Sequence, residues 1–399
     1  MINLYTILIT LVISSSVNTP AEPSSRNVAE IARYGLTGTI KSVFVSEPYL
    51  YAADLYEGLR IIDISNPVNP CEVGFCETAS MALDVCVSGF YAYLANWDKL
   101  SVINVGSPSN PHLAGNCKLD ANNVCVCGNN AYVSSNAWED GFKVVNISNP
   151  SNPVQISTHP ATAWATDVCC GGSFAYVAAS YVNMGGIQVM DVSNPQNPVE
   201  VGYYTAPEGP SGVYHCGSYI YVAAGGAGLR IVDITRPERP EEKSSCTTPE
   251  DAYSICVEGS YAYVVGDMLR IIDIKNPEYP LEVGYCDIEA TAVCVAEPYI
   301  FTAEGENGIG IYENLVLGTE EDNIPVPGLK FFPSLNRLGY RINGKAILTV
   351  YSASGVRIST QTVDGNGFWT PSPELPDGVY FARLEGGYEE TCAKVVVLR

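Results

Sequence analysis

The sequence predicts an all-β protein: a seven-bladed β-propeller followed by a small immunoglobulin-like β-sandwich. Three observations carry this. A strand-like motif recurs seven times at intervals of 40 to 45 residues. Each unit parses into about four short apolar strands, punctuated by Gly, Asn, Ser and Pro. The 399 residues include 36 Gly, 26 Pro and 26 Tyr, a composition of turns and strands rather than helices.

The recurring motif reads GLRIIDI at 58–64, KLSVINV at 99–105, GFKVVNI at 141–147 and GGIQVMDV at 185–192. It continues as GLRIVDI at 228–234, MLRIIDI at 268–274 and GIGIYEN at 308–314. Its anchors are Asp63, Asn104, Asn146, Asp191, Asp233, Asp273 and Glu313. A period near 40 with four strands per unit is the signature of a propeller blade. Proline-containing linkers such as SNPVNP at 65–70 and SNPQNP at 193–198 follow six of the seven motifs and lead to an outer strand. The first Pro suits a turn, and the second opens an edge strand that tolerates a missing N–H. The anchor Asp or Asn can accept backbone N–H bonds at that turn. The seventh outer strand must come from elsewhere, and VAEIARY at 28–34 matches CEVGFC at 71–76 and PLEVGYC at 280–286. The N-terminal strand is therefore expected to complete the last blade and close the ring.

The repeated I-I-D-I, I-V-D-I and V-M-D-V cores followed by N-P-x-x-P resemble the LVIVD-repeat family of extracellular propellers, over residues 28–314. That resemblance implies a fold and a surface location, and no catalytic residues.

Residues 4–17, LYTILITLVISSSV, are too short to span a bilayer and read as the apolar region of a signal peptide covering 1–21. No other segment reads as a transmembrane helix, and export to the cell surface is expected. At the other end, 315–328 breaks the period and reads as a linker. Residues 329–399 carry a different set of short strands, expected to form the sandwich. They resemble the C-terminal sorting domains of type IX secretion cargo in V-Y-x-x-x-G-V-R, G-x-G-x-W, L-P-x-G-V-Y-F and the ending K-V-V-V-L-R. FFPSLN at 331–336 keeps only the Pro of the Asn-Pro pair that usually opens that family. The resemblance implies that secretion machinery reads the tail.

The net charge is −22, and residues 315–399, with 8 basic and 9 acidic side chains, hold almost none of it. So acidic a propeller excludes nucleic acid and anionic membrane as main partners.

Thirteen of the 14 Cys lie in the propeller, most at two aligned positions. Their matching suggests four disulfides, Cys76–Cys86, Cys117–Cys125, Cys246–Cys256 and Cys286–Cys294; the alternative is that Cys serves as a small buried apolar residue. Cys125-x-Cys127 and Cys169-Cys170 lack metal-finger spacing. No H-E-x-x-H, G-x-S-x-G or P-loop occurs.

In repeats, function sits where units differ. The loops after the second and fourth strands share one face, where three of the four Trp fall among carboxylates. Trp97, Asp98, Trp138, Glu139, Asp140, Trp164 and Asp167 are the candidate ligand-binding residues. Aromatic platforms with carboxylates suit a glycan, a peptide or a cation such as Ca²⁺, and no other cofactor is indicated. The leading expectation is a secreted, non-enzymatic interaction module. The alternatives are a polysaccharide hydrolase or lyase using paired carboxylates among Asp98, Glu139, Asp140 and Asp167, and a purely structural surface protein.

Overall fold

The computed structural model describes residues 25–35, 38–136, 141–161, 163–181 and 184–316, together with seven strands within 330–397. The expected signal segment at 1–21, and all of the expected linker except Leu315 and Val316, lie outside the described residues.

Seven antiparallel sheets form the ring. Their innermost strands are Ile40–Ser46, Asp84–Ser88, Asn123–Cys127, Trp164–Gly171, Gly212–Cys216, Ala252–Glu258 and Ala292–Ala296. Each innermost strand touches that of the next blade, and the seventh returns to the first, so together they wall a central channel. In blade one the order outward is Ile40–Ser46, Tyr49–Asp54, Gly58–Asp63 and Cys71–Glu77. The seventh outer strand is Val28–Tyr34, antiparallel to Ile309–Asn314 with Tyr34 opposite Ile309, as the strand count requires. Ser25–Arg26 adds a fifth strand to blade six, against Cys286 and Tyr285, which the sequence reading missed. The N-terminal segment thus bridges the last two blades, turning at Asn27 (φ +56°), whose side chain donates to Val283 O at 2.6 Å.

The motif is apolar at nearly every position because both faces of each blade are covered. Ile61 packs toward blade two, while Ile62 and Ile64 pack toward blade seven. Seven apolar clusters result, one between each pair of neighbouring blades. Each fully buried Ile contributes roughly 1.5–3 kcal/mol. The anchors are turn-formers: Asp63, Asp191, Asp233 and Asp273 each accept from the backbone N–H two residues on, at 2.8 Å, and Asn146 does so at 3.1 Å.

Every outer strand carries a β-bulge at the same place, opposite the middle of the I-I-D-I strand. Beside it sits a residue that admits the next blade's linker. A Cβ on Gly202 would lie 2.1 Å from Pro237 O, and one on Gly115 would lie 2.5 Å from Pro150 O. Where the residue is Ser157, its hydroxyl instead donates to Pro195 O at 2.8 Å. The motif's third position holds a second repeated contact, to the Glu twelve residues on. Arg60–Glu72 (3.0 Å), Gln188–Glu200 (2.6 Å), Arg230–Glu242 (3.3 Å) and Arg270–Glu282 are all joined.

Beyond the ring, Lys330–Ser334, Arg337–Arg341 and Gly367–Trp369 form one antiparallel sheet. Arg357–Asp364, Lys345–Ser352, Gly378–Gly386 and Glu389–Val397 form another.

Candidate binding face

Each inner strand starts where the chain arrives from the preceding blade's outer strand. That end of the channel therefore shares a face with the hairpin tips between second and third strands. In blade two, Tyr91–Asn104 runs through both strand positions and folds back, with Val105 N donating to Phe90 O at 2.8 Å. Trp97 lies at the tip. Its φ of +36° is uncommon for a bulky side chain, and it is 50% exposed. A lengthened outer strand, His112–Ala121, supports it, with Ala121 opposite Trp97. Buried Asn96 anchors the tip from below, donating to Thr78 Oγ1 at 3.0 Å and Ser80 O at 3.3 Å. Asp98 beside it is exposed. Trp164, 45% exposed, opens the inner strand of blade four opposite Ser180. Trp138, Glu139 and Asp140 lie outside the described residues. Tyr56 and Tyr253 add two exposed rings to the same face.

Asp167 occupies a different environment, half-buried in the channel wall. Its Oδ1 accepts from Asn123 Nδ2 at 3.1 Å and Val168 N at 2.8 Å, and its Oδ2 from Val213 N at 2.8 Å. Asp84 holds the same position in blade two, accepting from Ser42 Oγ at 2.6 Å and Val124 N at 2.9 Å. The pair thus links five successive blades through hydrogen bonds at one end of the channel. Burial pushes the Asp167 carboxyl up to about 7; its hydrogen bonds oppose the shift and the Asp84 charge adds to it. Burial also raises Asp84, against the pull of its donors. The sequence reading missed Asp84, although aligning LDVC at 83–86 with TDVC at 166–169 would have found it.

No disulfide joins the thirteen described cysteines in the structure. The members of each expected pair pack in successive inter-blade layers. Cys76 lies between blades one and two and Cys86 between two and three. Likewise Cys117 and Cys125, Cys246 and Cys256, and Cys286 and Cys294 fall in different layers. Strand alternation explains this: an outer-strand residue facing the next blade and an inner-strand residue of that next blade facing onward lie on opposite sides of its sheet.

Among the described residues, no three His, Cys, Asp or Glu side chains converge as a metal site. A shallow surface hollow on blade six is lined by Thr248, Glu250, Asp251 and Arg270, among others. Arg270 there is already paired with Glu250 and Glu282. No helix among the described residues is long and apolar enough to cross a membrane.

Seven antiparallel blades around a channel define the protein as a seven-bladed β-propeller. The model of the LVIVD repeat matches it at 37–78, 79–119, 120–159, 164–206, 211–248 and 249–288, over half of the chain, and the chain belongs to that family. The matched segments leave out the seventh blade, whose strands come from both ends of the ring. No curated protein matches. Among solved structures, the β-propeller domain of Myceliophteria thermophila Cps50 (Swd1) aligns with TM-score 0.59 at 10% identity, over 72% of this chain and 99% of that one. The WD40 β-propeller domain of Doa1 gives 0.55 at 11% identity, over 72% and 97%. The computationally designed Ika8 protein gives 0.54 at 9% identity, over 71% and 99%. These likenesses concern the fold alone.

Proposed function

We propose that this protein is a secreted, cell-surface propeller that binds an extracellular glycan or protein through the face carrying Trp97, Asp98 and Trp164. One observation carries the reading: Trp97 departs from the repeat, sits at a positive φ and is half exposed on a hairpin that the ring braces from below. A strained, exposed aromatic side chain on a rigid support is a suitable stacking platform. The reading assigns no catalysis to Asp167, whose two oxygens take three hydrogen bonds within the channel wall. Residues 1–21 serve as the export leader. Residues 329–399 serve as an immunoglobulin-like sorting domain read by a type IX machinery; the three- and four-stranded sheets of the tail and its motifs support this.

The test is a screen of the full chain on glycan and protein arrays, with and without Ca²⁺. The reading expects a saturable ligand on one of the two arrays. Turnover of an arrayed glycan, or no binding on either array, contradicts it.

A further inference from the structure

Cys125 and Cys170 bring their sulfurs within 2.8 Å of each other, from the inner strands of blades three and four. That is closer than unbonded sulfurs pack, and less than about 1 Å from the disulfide length of ~2.05 Å. The two strands lie side by side along the channel. The repeat supplies an independent observation. The position of Cys170 is Val45, Val87, Val126, Val257 and Val295 in five other blades, and His215 in the sixth. The position of Cys125 is also Cys in four other blades (Cys86, Cys169, Cys256 and Cys294), whose neighbours offer Val126, His215, Val295 and Val45; only blade four answers it with a second Cys. Both residues are half-buried and pack against the apolar layer between blades three and four.

We propose that Cys125 and Cys170 form a disulfide that cross-links blade three to blade four at the channel wall. The step is thiol–disulfide exchange with a small-molecule disulfide. One Cys thiolate, having lost its proton to solvent, attacks the reagent, and a mixed disulfide forms as one reagent thiolate leaves. The second Cys, likewise deprotonated, attacks the protein sulfur of that mixed disulfide and expels the other reagent thiolate. Two protein thiols are thereby oxidised and one reagent disulfide is reduced to two thiols. The Cys125 thiol is held well above its usual range, first by its hydrogen bond to Cys170 and then by burial. A high-pKa sulfur is a slow leaving group, so the bond, once formed, is slow to reduce and acts as a staple rather than a redox catalyst. Nothing in this requires the export reading.

The full chain is equilibrated with an oxidised or a reduced dithiol, then alkylated and mapped by non-reducing proteolysis, with Tm measured in parallel. Expected are a peptide cross-link assigned by fragmentation to Cys125–Cys170 and a Tm higher by roughly 5–10 °C in the oxidised protein. Cys170→Val, which installs the residue of five other blades, removes the Tm difference; Cys127→Ser and Cys169→Ser keep it. Alkylation of both thiols after oxidation, a Cys117–Cys125 bond, or a Tm difference that survives in Cys170→Val overturns the proposal.

Discussion

At the scale of the residue, small side chains set how closely the blades can stack. Gly202 and Ser157 occupy one repeat position, and both meet the next blade's linker carbonyl, the first by having no Cβ and the second by donating to it. Gly202→Ala is therefore expected to destabilise the ring by about 1–3 kcal/mol through overpacking. Ser157→Ala is expected to cost about 1 kcal/mol for the lost hydrogen bond. Urea unfolding of each variant checks both. The carboxylates make an opposite pair of pH effects. Asp191 and Asp233 are held below their usual range, first by the side-chain hydrogen bonds from Ser193 and Thr235. Their contribution is present above about pH 4 and is lost as pH falls. Asp167 is raised to about 7, so its contribution is present below about pH 4 and is lost as pH rises through neutrality. The wild-type Tm is thus expected to fall between about pH 5 and 7.5, and Asp167→Asn to flatten that slope. An unchanged slope in the variant would show that Asp167 does not titrate there. The turn role of the anchors was legible in the sequence because each acts on a residue two places away. Asp167, grouped in the sequence with the face loops, sits in the channel wall at the start of an inner strand, a placement that only the ring shows.

At the scale of the element, closure depends on the strand Val28–Tyr34. Its Arg33 pairs with Glu304, whose side chain is 2% exposed, and donates to Tyr312 Oη at 3.1 Å. Glu304 also accepts from Tyr312 Oη at 2.6 Å and Thr302 Oγ1 at 2.9 Å. Removing the cation leaves a buried carboxylate with no counter-charge. Because the Arg33 side chain is 35% exposed, the expected cost of Arg33→Met is about 2 kcal/mol rather than the 3–5 of a fully buried pair. Hydrogen exchange should then show the amides of 28–34 and 309–314 opening together. If Arg33→Met leaves exchange in both strands unchanged, the closure is not held by this ion pair. The closing strand itself was readable, since seven motifs and six linkers leave one outer strand unaccounted for. The fifth strand Ser25–Arg26 was not, because two residues carry no periodicity. The aligned cysteine positions were legible but the layers were not: the two members of each expected pair face opposite sides of one sheet, because a one-residue change of parity moves a side chain to the other face.

At the scale of the whole molecule, the repeat makes the fold legible and the function nearly silent. A period near 40 fixes blade number and closure, whereas a ligand is chosen by the few residues that depart from it. Trp97 and Trp164 stood out because they interrupt regular units, but what they hold upward, and the bracing from Asn96, required the ring. On the proposed reading the tail serves delivery: deleting 329–399 is expected to leave the propeller's Tm unchanged while abolishing surface delivery in a type IX-competent host. Normal delivery of the truncated chain would rule out the sorting role. The binding face is tested most directly by titrating the array-selected ligand against wild type and Trp97→Ala/Trp164→Ala, with Tm measured on both. Two stacking rings of roughly 1–2 kcal/mol each predict a loss of affinity of about thirtyfold or more at nearly unchanged Tm. Intact binding together with a large fall in Tm would make these rings packing elements and place the site elsewhere.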